Sequence, residues 1–138
     1  MNHDTYADPY IAAILAEAKT IVMVGASAAN NRPSYFAMKY LLGKGYEVIP
    51  VNPTLTGQAI QGRKVFAALA DVPGPVDIVD IFRSPEHVPP VVEEAISAKA
   101  KAVWLQLGVG HEGAEKRASD AGLLVVSELC IMVVHRGL

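Results

Sequence analysis

Thr20-Ile21-Val22-Met23-Val24-Gly25-Ala26-Ser27 is the stretch that decides the fold. Its apolar run is unbroken and rich in β-branched residues, then stops at a glycine. A half-buried strand would alternate apolar with polar; a continuous run marks a strand covered on both faces, as in a parallel sheet. Parallel neighbours need crossover connections, usually helices, so helical segments are expected on either side. Upstream, Asp8-Pro9 reads as N-cap and first helical residue, with Ile11, Ile14 and Leu15 as the apolar stripe. Downstream, a polar loop from Ala26 to Pro33 leads to Ser34 as N-cap of a helix that turns Phe36, Tyr40 and Leu41 inward. Gly43 and Gly45 stop it.

The same alternation fills the rest of the chain. Glu47 to Val51 is a second strand, ending at Asn52-Pro53, and Thr54 to Gln61 reads as loop. Val65 to Ala70 fits a short strand or a turn of helix. Asp77 to Phe82 is a further strand, followed by a helix over Val91 to Lys99 whose start the Pro89-Pro90 pair delays. Ala102 to Leu107 is a strand, Glu112 to Ala121 a helix stopped by Gly122, and Leu123 to Ser127 the last strand. From Glu128 the tail is short helix or coil. Strands alternating with helices imply an α/β domain, doubly wound and three-layered: a Rossmann-like parallel sheet of about five strands flanked by helices. Residues 1–138 read as one such domain.

Composition narrows the function. Half of the 138 residues are hydrophobic and 19% are charged, which supports a packed core and excludes disorder. The net charge of −2, with Lys and Arg scattered, excludes a general nucleic-acid surface. A single cysteine, Cys130, excludes an internal disulfide and a CxxC metal site, and points to a reducing, cytoplasmic setting. The start, Met1-Asn2-His3-Asp4, lacks the features of a signal peptide, and no apolar run is long enough to span a bilayer. His87, His111 and His135 have no metal-ligand spacing.

In doubly wound sheets the ligand sits beyond the carboxyl ends of the strands. That rule brings Gly25-Ala26-Ser27, Asn52-Pro53, Phe82-Arg83 and Gln106-Leu107-Gly108 onto one rim. The loop after the first strand lies where backbone N–H groups meet phosphate, although Ser27 and Asn30 stand where a G-x-G-x-x-G motif has its second and third glycines. Arg32 adds a cation beside this loop, and Ser34 a hydroxyl at the helix start. An NAD site needs a carboxylate at the end of the second strand; here that position is the neutral Asn52. Coenzyme A carries a phosphate on its ribose, so the missing acid fits CoA better than NAD, while NADP passes the same test.

Five blocks carry a resemblance. They are Gly25-Ala26-Ser27, Asn31-Arg32-Pro33-Ser34-Tyr35, Gly45 through Pro53, Pro75 through Arg83, and Trp104-Leu105-Gln106-Leu107-Gly108-Val109. In this order they resemble the small bacterial and archaeal CoA-binding proteins, which look like a free-standing N-terminal domain of the succinyl-CoA synthetase alpha subunit. The resemblance implies CoA held by the first loop, by Asn52-Pro53 and by Phe82-Arg83-Ser84. The chain departs from that pattern at Ser127-Glu128-Leu129-Cys130, where the family usually shows Met-Asp-Arg-Cys, and at Val134, where an acid precedes the histidine. The synthetases keep their phosphorylated histidine and nucleotide-binding parts outside this domain, so ligase activity is not expected of this chain.

The remaining residues read plainly. Phe82 either stacks on the ligand or closes the strand into the core. Cys130, in apolar company, reads as a small core residue, with a nucleophile or a mixed disulfide as the alternative. Asp77 and Asp80 lie three apart on a strand and face opposite ways; Glu93-Glu94 are a solvated helix face, and Trp104 is core. No nucleophile–base–orienter set can be assembled at the rim. The expected function is therefore binding of CoA or an acyl-CoA for carriage, sensing or delivery, with no protein partner identified. Two alternatives stand beside it: an NAD(P)-dependent oxidoreductase domain, and an interaction protein whose nucleotide pocket has degraded.

Overall fold

A computed structural model describes residues 9–137 of the chain. Helix α1 (Pro9–Glu17) buries Ile11, Ile14 and Leu15 as the stripe requires; the Asp8 cap lies outside the described residues. Strand β1 (Thr20–Val24) follows, then α2 (Pro33–Gly43) and β2 (Glu47–Val51). A small antiparallel pair, β3 (Ala59–Ile60) and β4 (Arg63–Lys64), precedes β5 (Ile78–Ile81). Helix α3 (Val88–Ser97), β6 (Ala102–Leu105), α4 (Glu112–Asp120), β7 (Leu124–Ser127) and α5 (Ile131–Arg136) complete the order. The main sheet has five strands, all parallel, in the order β2-β1-β5-β6-β7.

The two faces of β1 sort its side chains by parity. Ile21 and Met23 join Ile78, Trp104 and Val126 under α1, α2 and α5. Val22 and Val24 join Val79, Ile81, Val103 and Leu105 under α3 and α4. Both faces are thus covered, which is why the strand sequences carry no alternation. The fold is the three-layer Rossmann-like α/β sandwich that the sequence implies. Trp104, wholly buried at the centre of the first face, donates its Nε1–H to the Leu129 carbonyl at 2.8 Å and ties the segment after β7 to the sheet.

Three local expectations are corrected. Ser34 is not an N-cap: Pro33 already occupies the first helical turn, the cap is Arg32 in extended conformation, and Ser34 lies inside α2 and buried. Proline suits that position because its missing N–H would have had no partner there. Shifting the start also rotates the buried face to Ser34, Ala37, Met38 and Leu41, leaving Phe36 49% exposed and Tyr40 half-buried. Pro89 and Pro90 do not delay α3 either. The helix begins at Val88 with both prolines in its first turn, where no N–H is needed. Thr54 to Gln61 is not all loop, since a short 3₁₀ turn at Pro53–Leu55 and strand β3 occupy part of it.

The outer edge of β7 carries one further feature. Leu124 N–H bonds inward to Lys101 O, so the backbone groups of Val125 face out. The Tyr10 hydroxyl meets both: it accepts from Val125 N at 2.9 Å and donates to Val125 O at 3.3 Å. No helix among the described residues is long and apolar enough to cross a membrane.

Candidate functional site

The strand order reverses between β1 and β5. Their connections leave in opposite directions there and open a crevice at the carboxyl ends. A cleft of about 470 Å³ lies in that place, within the usual range for a ligand pocket. It is lined by Gly25 and Ser27 after β1, by Arg32, Pro33 and Ser34 at the start of α2, and by Phe82 and Arg83 after β5. Gln106, Leu107 and Val109 line it after β6, and Cys130 after β7.

Gly25 makes the crevice narrow at its base. Its φ of +91° lies in the left-handed region, and a Cβ there would stand 2.3 Å from the Phe82 carbonyl oxygen. The two strand ends can meet this closely only without a side chain. Gly25 N–H bonds to Val51 O at 3.0 Å and Phe82 N–H to Val24 O at 2.8 Å, so both neighbours of β1 are anchored at this point. Ala26, next in line, is fully buried and does not reach the cleft. Ser27 does, and its Oγ accepts from Ala29 N at 3.0 Å, which curls the loop toward Arg32.

Asn52 braces that loop from the side. Its Nδ2 donates to the Ala26 carbonyl at 2.8 Å, and its Oδ1 accepts from Thr54 N at 2.9 Å and Thr54 Oγ1 at 2.8 Å. Asn52 does not line the cleft, and neither do exposed Pro53, exposed Ser84 or exposed Gly108. Gly108 N–H is already given to Glu128 Oε1 at 2.9 Å, and Gly110 N–H to Oε2 at 2.7 Å. The carboxylate of Glu128, itself at a positive φ of 62°, clasps the turn that carries Leu107 and Val109. Phe82 packs on the core, as one of its readings has it, and also lines the cleft. Cys130 is half-buried in the cleft wall, not a core residue.

A polar pair below the cleft is missing from the sequence reading. Asp80 sits mid-strand on β5 beside Trp104 of β6, fully buried; Gln106, two residues beyond Trp104 on the same face, donates Nε2–H to Asp80 Oδ1. Gln106 Oε1 accepts from Ile131 N at 3.3 Å, at the start of α5. Asp80 Oδ2 is buried without a hydrogen-bond partner. Burial drives the Asp80 carboxyl up to about 7, against the pull of the Gln106 hydrogen bond. Asp77 is its opposite. It accepts from Lys19 N and Thr20 N and pairs with Lys101 at 3.3 Å, and those donors hold it below the usual range despite partial burial.

The lining of this cleft is mixed, cationic and apolar. Two guanidinium side chains and a helix N-terminus occupy one end, where anionic oxygens are favoured. Apolar side chains and one buried amide occupy the other. Among the described residues no group of three or more His, Cys, Asp or Glu side chains is placed to hold a metal ion.

Comparison with known proteins covers most of the chain. Residues 19–136 match the family model described as a CoA binding domain. The uncharacterized protein YneT of Bacillus subtilis (strain 168) is 39% identical over 122 residues, 88% of this chain and 89% of its own. A solved structure from Thermus thermophilus, cell-free ID.343, superposes with a TM-score of 0.88 at 39% identity, covering 91% of this chain and 94% of that one. The alpha subunit of acetate–CoA ligase (ADP-forming) I from Pyrococcus furiosus is 32% identical over 111 residues. The match takes in 77% of this chain but only 24% of that subunit. A family model spanning nearly the whole chain and a full-length relative leave one assignment: the chain belongs to the CoA binding domain family.

Proposed function

We propose that the protein binds coenzyme A or an acyl-CoA in the cleft between the ends of β1 and β5, for carriage, sensing or delivery. The observation that carries this reading is the joint placement of Arg32, Arg83 and the first turn of α2 around one end of a cleft of ligand size. A diphosphate at that end meets two cations and the positive end of the α2 dipole. The pantetheine arm then follows the strand order, over β5 and β6 toward Cys130. The end of β2 offers no carboxylate to receive ribose hydroxyls, which disfavours NAD.

Calorimetry with CoA, NAD and NADP side by side tests the proposal. CoA should bind and NAD should not; NAD binding tighter than CoA would refute it. Arg32→Ala should weaken CoA by about 10- to 100-fold, the scale of one charge-assisted hydrogen bond. Arg32 is exposed, so the melting temperature without ligand should stay where it is. A destabilised apo protein with intact affinity would make Arg32 a structural residue.

Asn52 supports the site as a brace, and its substitution has a distinct signature. In Asn52→Asp the donor to Ala26 O is lost while the acceptor for Thr54 survives. CoA and dephospho-CoA should therefore weaken together, by about tenfold, one neutral hydrogen bond's worth. Competitive titration of the two ligands checks this. A loss confined to CoA would mean that the residue at 52 faces the ribose phosphate directly.

A further inference from the structure

Gln106 lines the cleft and, like Ser34, is both polar and almost wholly buried, at 4% exposure. Its amide has a fixed orientation. Ile131 N–H is a donor and requires the oxygen; Asp80 Oδ1 takes a hydrogen from the nitrogen. Reversing the amide would set donor against donor at Ile131, so the two partners agree on a single arrangement. Nε2 carries two hydrogens, of which one goes to Asp80. The other is what Gln106 can present to the cleft it lines.

The neighbours define what that hydrogen can meet. Leu107, 72% exposed on the rim, Val109 and Phe82 line the same region, and Arg32 and Arg83 belong to loops nearer the switch in strand order. The acceptor is therefore a neutral carbonyl with apolar flanks, not a phosphate. A buried donor rejects a ligand that leaves it unpaired far more strongly than an apolar wall rejects a misfit.

We infer that Gln106, held by Asp80 and Ile131, is the specificity-determining donor of the cleft, reading an amide or thioester carbonyl in the arm of the ligand. Asp80 touches no ligand and acts as a positioning residue. The inference rests on the CoA reading above, and it assigns work to a pair buried too deeply to serve as surface charge.

The test compares CoA with 3′-phospho-ADP, which keeps the nucleotide and lacks the arm. Gln106→Leu should weaken CoA tenfold or more and leave 3′-phospho-ADP within about twofold. Asp80→Val should reproduce this selective loss, and Asp80→Asn, which restores an acceptor to Gln106, should recover most of the affinity. Melting curves establish that each variant is folded; should Asp80→Val fail to fold, Gln106→Leu and Asp80→Asn still decide. Equal weakening of both ligands, or unchanged CoA affinity in Gln106→Leu, overturns the inference. A wild-type protein that binds neither ligand overturns the CoA reading instead.

Discussion

Replacing Asp80 with asparagine should abolish most of the fall in stability that the wild-type protein shows between pH 5 and pH 8. In the unfolded chain this carboxyl titrates near its ordinary value, 3.8; in the folded protein burial raises it to about 7. Over that interval the folded state keeps a proton that the unfolded state has released. The stability contributed by the neutral form is whole below about pH 4, declines as pH rises, and is gone above about 7. The complete span corresponds to about 4 kcal/mol, and the part between pH 5 and 8 to about 3 kcal/mol. His135 acts with the opposite sign. Burial and then Lys44 hold it below the usual histidine range, so its contribution grows with pH. It does so equally in both proteins, and the difference between them isolates Asp80. Denaturant titrations of wild type and Asp80→Asn at the two pH values measure it; parallel pH profiles would show that Asp80 is charged throughout.

Gly25→Ala should destabilise the protein by about 3 kcal/mol or more and remove ligand binding. The torsion alone costs about 1–2 kcal/mol for a residue with a Cβ. The larger part comes from the approach of the Cβ to the Phe82 carbonyl, which is backbone and cannot rotate away. Relief requires β1 and β5 to separate at their carboxyl ends, breaking the Phe82 N–Val24 O bond and displacing Arg83, whose Cδ lies in the same space. Gly45 is the internal control. Its φ is +95° with nothing within 4 Å of a Cβ, so Gly45→Ala should show the torsional cost and no more. Equal melting temperatures for the two variants would show that the crevice is not closed by the strand ends.

The architecture was legible because burial on both faces leaves a clear mark: apolar runs at Ile21–Val24 and Ala102–Leu105, and a third at Ile78–Ile81 broken only by Asp80. The line of the cleft followed from topology, and Gly25, Ser27, Arg32, Pro33, Ser34, Phe82, Arg83 and Gln106 all line it. Ala26, Asn52, Pro53, Ser84 and Gly108 do not, since position on a rim does not say whether a side chain faces in, braces from behind or points to water. The helix faces were misread where prolines moved a helix start: Pro33 shifted the register of α2 and exposed Phe36. The β3–β4 hairpin is two residues per strand, too short for any periodicity to register. Asp80 and Gln106 are 26 residues apart, and only the pairing of Asp80 with Trp104 sets them side by side. Such a partnership is a property of register, which a local pattern does not contain.

An open parallel sheet has two ends where backbone groups are left over, and such an end is a template for another chain. At the β2 end the bridge from Val51 to Phe66 takes up part of that capacity. At the β7 end a single phenol does it, with the Tyr10 oxygen occupying the donor and the acceptor of Val125 at once. A foreign strand approaching there finds its ladder interrupted beside the first rung. Both backbone groups of Val125 are thereby engaged by one side chain, away from the cleft at the carboxyl ends of the strands.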